Sequence, residues 1–407
     1  MATKTPFEGD VEERRKQAIK EKLQLSELPL RHRLGLVGLV LLALSPVAMR
    51  PLELNQFTYV LFLMMFAVSW DVVSGYTGQL SFGHAFFFAL GGYTTSVATV
   101  QHGVHPFIGI ALATILAAIG GLLIGVPALR LEGPYLSLVT LIAPLLLYQM
   151  FILFSTKLPY LAPDGLGGTS GLTDQPQQIV GFAQDAMITT QSNMLWAMGR
   201  FYVAFIALLI VFAVAFAVTR SSAGTVFTAI REDENAVRSA GKNPAKFKIF
   251  AFVLAGAIGG FAAAVWMHTG GFPNTENLFG PGRIDLSINV IVMVIIGGMG
   301  TIVGPVVGAL LFAATEVFVN YLTFTVPLIG IQLADLTPLP VFLIAMLTLV
   351  FIPEGAVPRS IKEGRKRLAR YRGEEPPEPE EDTRTPSESI VAKYREEIED
   401  MLGRDNK

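Results

Sequence analysis

The sequence predicts an all-α fold: a polytopic membrane helical bundle of about 10 transmembrane segments with both termini cytosolic. Three observations carry this. The chain of 407 residues is 52% hydrophobic and only 16% charged, where a soluble domain carries about 25%; the deficit falls between residues 34 and 352, and both ends are rich in charge. Ten apolar stretches approach the roughly 20 residues that a helix needs to cross a bilayer: 34–50, 54–74, 78–100, 106–128, 134–156, 199–219, 247–270, 285–301, 304–323 and 338–352. Lys and Arg alternate with them. With the N-terminus inside, the inward segments hold 27 of the 31 Lys and Arg residues, and the outward ones only Arg50, Lys157, Arg200 and Arg283, the asymmetry of the positive-inside rule.

Taken in order, residues 1–33 are a polar N-terminal extension whose mixed charges suit a solvated cytosolic helix or one lying at the membrane surface. So much charge ahead of the first apolar run is unlike a secretory signal, and the first span is expected to be retained. The transmembrane domain covers 34–352. Its shortest and most glycine-broken stretches are the weakest candidates for full spans, and 78–100 has the composition of a partly re-entrant one. The longest outward loop, 157–198, contains PDGLGGTSGLTDQP, dense in turn formers. It reads as a surface connector or as a docking or gating surface for an external partner. Residues 353–407 are a cytosolic tail. It begins basic, with IKEGRKRLARYR, then turns acidic and Pro-rich, the composition of a disordered linker. It ends in a stretch whose Ile390, Tyr394, Ile398 and Met401 recur at helical spacing. Basic residues directly after a membrane helix are drawn to anionic headgroups by about 1 kcal/mol each, so membrane lipid is an expected partner.

Three stretches could carry function. The inward segment 220–248 is polar yet patterned as a helix over 226–240, with Ser222 or Thr225 as its cap and Gly241 as its stop, Pro244 just beyond. Ile230, Ala236 and Val237 fall on one side with other small apolar residues. Arg231, Glu232, Glu234 and Arg238 fall elsewhere, and Glu234 to Arg238 is a favourable i,i+4 pair. Small residues there permit close approach by another surface; an ordinary helical connector explains the pattern equally. The second stretch, 74–95, sets Gly75, Gly78 and Gly83 among Gln79, Ser81 and His84, for helix packing or gating. His84 reads as a hydrogen-bonded packing residue, with a proton relay as the alternative. The third, IIGGMGTIVGPVVGALL, places Gly300, Gly304 and Gly308 on one face if its helix is continuous, for packing or a moving gate. Asp71, Glu316 and Asn320 are isolated polar groups inside apolar segments. Such groups are costly unless paired or facing water, so they are candidates for a polar solute's route or for pairing between helices.

Absences narrow the class. No cysteine is present, which excludes disulfides and thiolate chemistry. Of the five histidines only His102 and His105 lie close, with no carboxylate beside them, so no metal site is expected. A net charge of −2 implies no nucleic-acid partner. There is no phosphate-binding G-x-x-x-x-G-K-[ST] loop and no nucleophile elbow, so the chain is expected to be a transport component, not an enzyme. An ion-coupled secondary transporter or channel working through Asp71, His84 or Glu316 is the rival class.

Four segments in order, GYTGQLSFGHAFFFALGGYTT, GPYLSLVTL, DGLGGTSGLT, and the run from GTVFTAIREDENAVRSAGK to IIGGMGTIVGPVVGALLF, resemble the permease subunits of ABC importers for branched-chain amino acids, of the LivM type. The resemblance covers about residues 50–355. It implies a permease of a prokaryotic cytoplasmic membrane that pairs with a second related permease and two cytosolic ABC ATPase subunits and receives solute from an external solute-binding protein. ATP and Mg would be held by the ATPase partners, with no cofactor on this chain. The resemblance makes the segment 220–248 the ATPase-coupling element, with Ile230, Arg231, Glu232, Glu234, Ala236, Val237 and Gly241 as its candidate residues. Many such importers carry E-A-A-x-x-x-G there. With Gly241 at the glycine, Asn235, Ala236 and Val237 stand at E-A-A and Glu234 comes one residue early. Close relatives of the family carry urea or short amides, and these cargoes remain open.

Overall fold

Each apolar stretch forms a helix, but several helices stop well short of the stretch that encodes them. The computed structural model describes residues 30–128, 134–179, 194–280, 285–321, 338–352 and 354–372, and among them no β-strand forms. The chain up to Met49 is a unit of its own. It contains α1 (Leu30–Leu44) and a short 3₁₀ turn, Ser45–Ala48. The final amphipathic stretch around Ile390–Met401 lies outside the described residues.

The second unit begins at Arg50. Pro51 opens α2 (Pro51–Thr77), where its missing N–H costs nothing, and the Glu53 carboxylate accepts from the Arg50 N–H at 3.0 Å. This helix is 27 residues long and almost wholly buried, with Phe62, Phe66 and Trp70 inaccessible. It ends at Gly78, whose φ of +72° is the left-handed cap that glycine adopts without strain. Then follow α3 (Ala85–Val100), α4 (Pro106–Ala128), α5 (Pro134–Leu153) and α6 (Met194–Thr219). Two short helices come next, α7 (Ser222–Glu232) and α8 (Glu234–Ser239), and then α9 (Pro244–Met267). The remainder is α10 (Thr275–Phe279), α11 (Asp285–Gly297), α12 (Gly304–Tyr321), α13 (Pro338–Phe351) and α14 (Ala356–Arg372). α2 packs against α6, α9, α11 and α12, and α9 in turn against α3 and α4. Lipid offers no hydrophobic drive for such contacts, so close backbone approach must supply them. At the centre, a Cβ on Gly91 of α3 would meet the Gly260 backbone of α9.

Among the described residues, five helices have the length and apolarity to cross a membrane: Pro51–Thr77, Pro106–Pro127, Tyr135–Leu153, Met194–Thr219 and Pro244–Met267. The other apolar helices are shorter, and α3 shows why. The loop 78–84 does not run away from the bundle but climbs back beside α2. Trp70 Nε1 donates to the Ser81 carbonyl at 2.7 Å, and His84 Nε2 meets Ser69 Oγ at 2.7 Å. Trp70 is seven residues before the end of α2, so Ser81 lies about 10 Å inside it. The re-entrant loop survives at that depth because its peptide groups are paired. Ser137 Oγ donates to the Leu80 carbonyl, the Phe82 N–H to Thr140 Oγ1, and the Ala85 N–H to Ser287 Oγ, at 2.8–3.1 Å. Gly83 passes so close to the Thr140 carbonyl that no side chain fits.

The outward loop is seated over the ends of α3, α9 and α10. The Leu172 N–H donates to the Pro273 carbonyl at 3.1 Å, Thr275 Oγ1 to the Thr169 carbonyl at 3.0 Å, and Gln101 Nε2 to the Gly165 carbonyl at 2.7 Å. Arg200, counted from sequence among the outward cations, lies inside α6. It donates from Nε to the Thr269 carbonyl and from Nη1 to Asn55 Oδ1, and its guanidinium sits over the Trp196 ring. It thereby ties α6 to α2 and to the end of α9.

Candidate functional site

The segment 220–248 is not the single helix 226–240 that its pattern suggests. Ser221, not Ser222 or Thr225, caps α7, its hydroxyl accepting from the Ala223 N–H at 3.2 Å. The helix then breaks at Asp233, whose backbone is extended (φ −154°, ψ 104°). The cause is local: the Asp233 carboxylate accepts from the Asn235 and Ala236 N–H groups at 2.8 and 3.0 Å, capping a second helix. α8 runs only to Ser239 and stops at Gly241 (φ +74°), around which space is open. Asn243 then caps α9 and Pro244 takes its first position.

The broken segment is fixed from beneath. Phe227, Ile230 and Val237 are buried; Ile230 and Val237, grouped by sequence with the docking candidates, face the chain itself. Glu234 accepts from Arg238 at 2.7 Å, the expected i,i+4 pair, and also from Lys248 of α9. Lys248 is only 6% exposed. Burial alone would push the Glu234 carboxyl up; the Lys248 ammonium and then the Arg238 guanidinium overcome that and hold it below the usual carboxylate range. A depressed carboxyl stabilises the fold above the range of the unfolded group, and that contribution is lost as pH falls through the folded value. Glu234→Gln is therefore expected to cost about 2 kcal/mol at neutral pH, because it strands a buried ammonium. Thermal unfolding of the purified chain should show the difference from wild type shrinking on acidification, and Lys248→Gln should recover part of the loss in the double variant.

Arg231 is the deepest tie. Its side chain is 9% exposed, pairs with Glu232 at 2.9 Å, and donates from Nη1 to the Gly75 carbonyl in the last turn of α2 at 2.8 Å. Gly78 lies directly under its stem, and a Cβ there would stand 3.0 Å from Arg231 Cγ. One turn before Gly75, Asp71 is buried, and its Oδ1 accepts from the Gly300 N–H at 2.8 Å. A Cβ on Gly75 would collide with that carboxylate and stand 2.6 Å from the Gly300 nitrogen. Gly300 (φ +71°) does not lie on α12 with Gly304 and Gly308. The GxxxGxxxG pattern is thus split: Gly300 belongs to the turn joining α11 to α12, while Gly304 and Gly308 press α12 onto the carbonyls of Gly298 and Met293. Arg231, Gly75, Asp71 and Gly300 form one continuous connection from the polar segment to that turn.

Residues 53–352 match the family described as the branched-chain amino acid transport system permease component. The chain belongs to this family. It is 27% identical over 302 residues to the high-affinity branched-chain amino acid transport system permease protein LivM of Escherichia coli, covering 70% of this chain and 68% of that one. It is 24% identical over 362 residues to LivM of Salmonella typhimurium, covering 85% and 79%. No solved structure matches it.

In this permease the polar residues proposed for a solute route are not brought together. Asp71 is engaged with Gly300. Glu316 of α12 is half-buried, within electrostatic reach of Tyr59 of α2, about 18 Å along that helix from Asp71. The Asn320 side chain lies outside the described residues. His84 is fully buried between Phe66 and Phe87. Ser69 Oγ gives its proton to the Ala255 carbonyl at 2.7 Å, so it receives one from His84 Nε2. The sequence did not disclose the Glu234–Lys248 pair, 14 residues apart, or the inward aim of Arg231. The Asp233 break did leave a trace, an Asp followed by good first-turn residues, the signature of a cap.

Proposed function

We propose that this permease forms one half of an ATP-driven importer of branched-chain amino acids or related small polar solutes in a prokaryotic cytoplasmic membrane. A second related permease completes the pathway. Two cytosolic ATPase subunits hold ATP and Mg, and an external solute-binding protein delivers cargo. The observation that carries this reading is the surface of α7 and α8. Ala229, Ala236, Ala240 and Gly241 are exposed on a segment whose Phe227, Ile230 and Val237 are buried and whose Glu234 is clamped by Lys248. A rigid, bare edge of small residues accepts the close approach of another protein surface, and the Lys and Arg distribution puts it in the cytosol. Movement of the ATPase groove would then act on α2 and the 298–300 turn through Arg231.

Ala236→Glu tests it. The position is exposed, so the purified chain should keep its thermal stability. A charge and bulk at the centre of the docking edge should abolish co-purification with the ATPase subunits or cut uptake at least about tenfold, a loss of roughly 1.4 kcal/mol of coupling. Wild-type assembly and uptake would overturn the assignment.

A further inference from the structure

The match to the permease family ends at residue 352, and α14 begins four residues later. Seven of its seventeen residues are Arg or Lys and one is acidic. It starts directly after α13, whose Val350 and Phe351 are exposed apolar side chains. Ala369 is buried on the side that rests on the bundle. By helical spacing Arg359 and Arg370 stand together on one flank of that side and Arg365 on the other, and all three are exposed. Ile361, 41% exposed, projects beside Arg365, and Tyr371, 91% exposed, projects away from the bundle. Exposed apolar residues flanked by cations, on a helix that leaves the membrane, suit the headgroup layer and no purely aqueous setting.

The root of the helix is fixed. Lys362 pairs with the nearly buried Glu354 at 3.0 Å. Gly298 (φ +114°) packs so tightly on Pro358 and the Glu354 carbonyl that no Cβ fits there, and Gly355 packs back on Gly298. The turn of residues 298–300 therefore meets α14 on one side and Asp71 on the other.

We propose that α14 lies on the cytosolic membrane surface and binds the headgroups of anionic phospholipids, so that lipid charge bears on the 298–300 turn. Charge complementarity selects this occupant, and the adjoining exposed end of α13 places the helix at the right depth. The nearest competitor is the chain's own acidic stretch 374–382, EEPPEPEED.

The chain has no cysteine, so Ile361→Cys gives a unique attachment point for an environment-sensitive dye. The labelled protein is placed in nanodiscs of phosphatidylcholine alone or with about 30% phosphatidylglycerol. Blue-shifted emission and shielding from an aqueous quencher are expected only in the anionic discs, and loss of both in about 1 M salt, where the Debye length falls to about 3 Å. Replacing Arg359, Arg365 and Arg370 together by Gln should weaken seating on the order of 100-fold, at about fivefold per charge. Equal emission in both lipids, or no effect of the triple substitution, overturns the proposal. So does a shift produced in phosphatidylcholine discs by inorganic phosphate, which would mark a site for free anion. A signal that responds to neutralising 374–382 and not to lipid would assign the face to the tail and overturn it too. No ATPase or solute enters this measurement, so its failure leaves the importer reading standing.

Discussion

Gly75→Val is expected to lower the stability of the purified permease by about 3–5 kcal/mol, at or above the upper end of what overpacking a well-filled site costs. Both neighbours of the new side chain are fixed. One is the Asp71 carboxylate, held by the Gly300 N–H; the other is the Gly300 backbone itself. The branched side chain must displace the turn between α11 and α12 or break its hydrogen bond, and a buried N–H left unpaired costs about 1–3 kcal/mol by itself. Thermal unfolding in detergent reads the loss. Asp71→Leu removes only the acceptor and should show that smaller cost alone, while Asp71→Asn, which keeps an acceptor oxygen, should stay near wild type. Equal midpoints for Gly75→Val and wild type would mean that the turn yields freely and transmits nothing.

Arg231→Ala separates transmission from stability. Phe227 and Ile230 hold α7 against the bundle independently of Arg231, so the fold and the proposed docking edge should persist. What disappears is a charge-assisted bond to the Gly75 carbonyl, worth about 1.5–3 kcal/mol. If that bond carries motion into α2, uptake by the assembled importer should fall about 10- to 100-fold while ATP hydrolysis continues. Arg231→Lys should not rescue it. The guanidinium fork reaches Gly75 and Glu232 together, and a single ammonium has no such geometry. Uptake that stays matched to hydrolysis in the alanine variant would remove Arg231 from the route.

The helices were legible because lipid imposes one strong rule, a long apolar run, and ten such runs gave ten helices. Their lengths were not. α3 is short because Trp70 and His84 hold the loop before it deep against α2, a tertiary fact that no local pattern encodes. α11 ends at Gly297 because Gly298 must sit against Pro358, some sixty residues away. The segment 220–248 was legible as an ordered polar insertion but not as two helices, since Asp233 among acidic neighbours fits a helix surface as readily as a cap. Gly75, Gly300 and Asp71 each carried a signal separately. That they meet depends on how α11 and α12 fold back on α2.

Half of the connection from Arg231 to the 298–300 turn is made of peptide groups. The Gly75 carbonyl and the Gly300 N–H belong to the main chain, which every sequence possesses. Mutation can alter the chemistry of only two members, Asp71 and Arg231; at the glycines it can alter only size. Such a joint offers a small target to mutational drift. A relative as distant as the two LivM proteins, at 24–27% identity, need share only a few positions with this chain to share the proposed link.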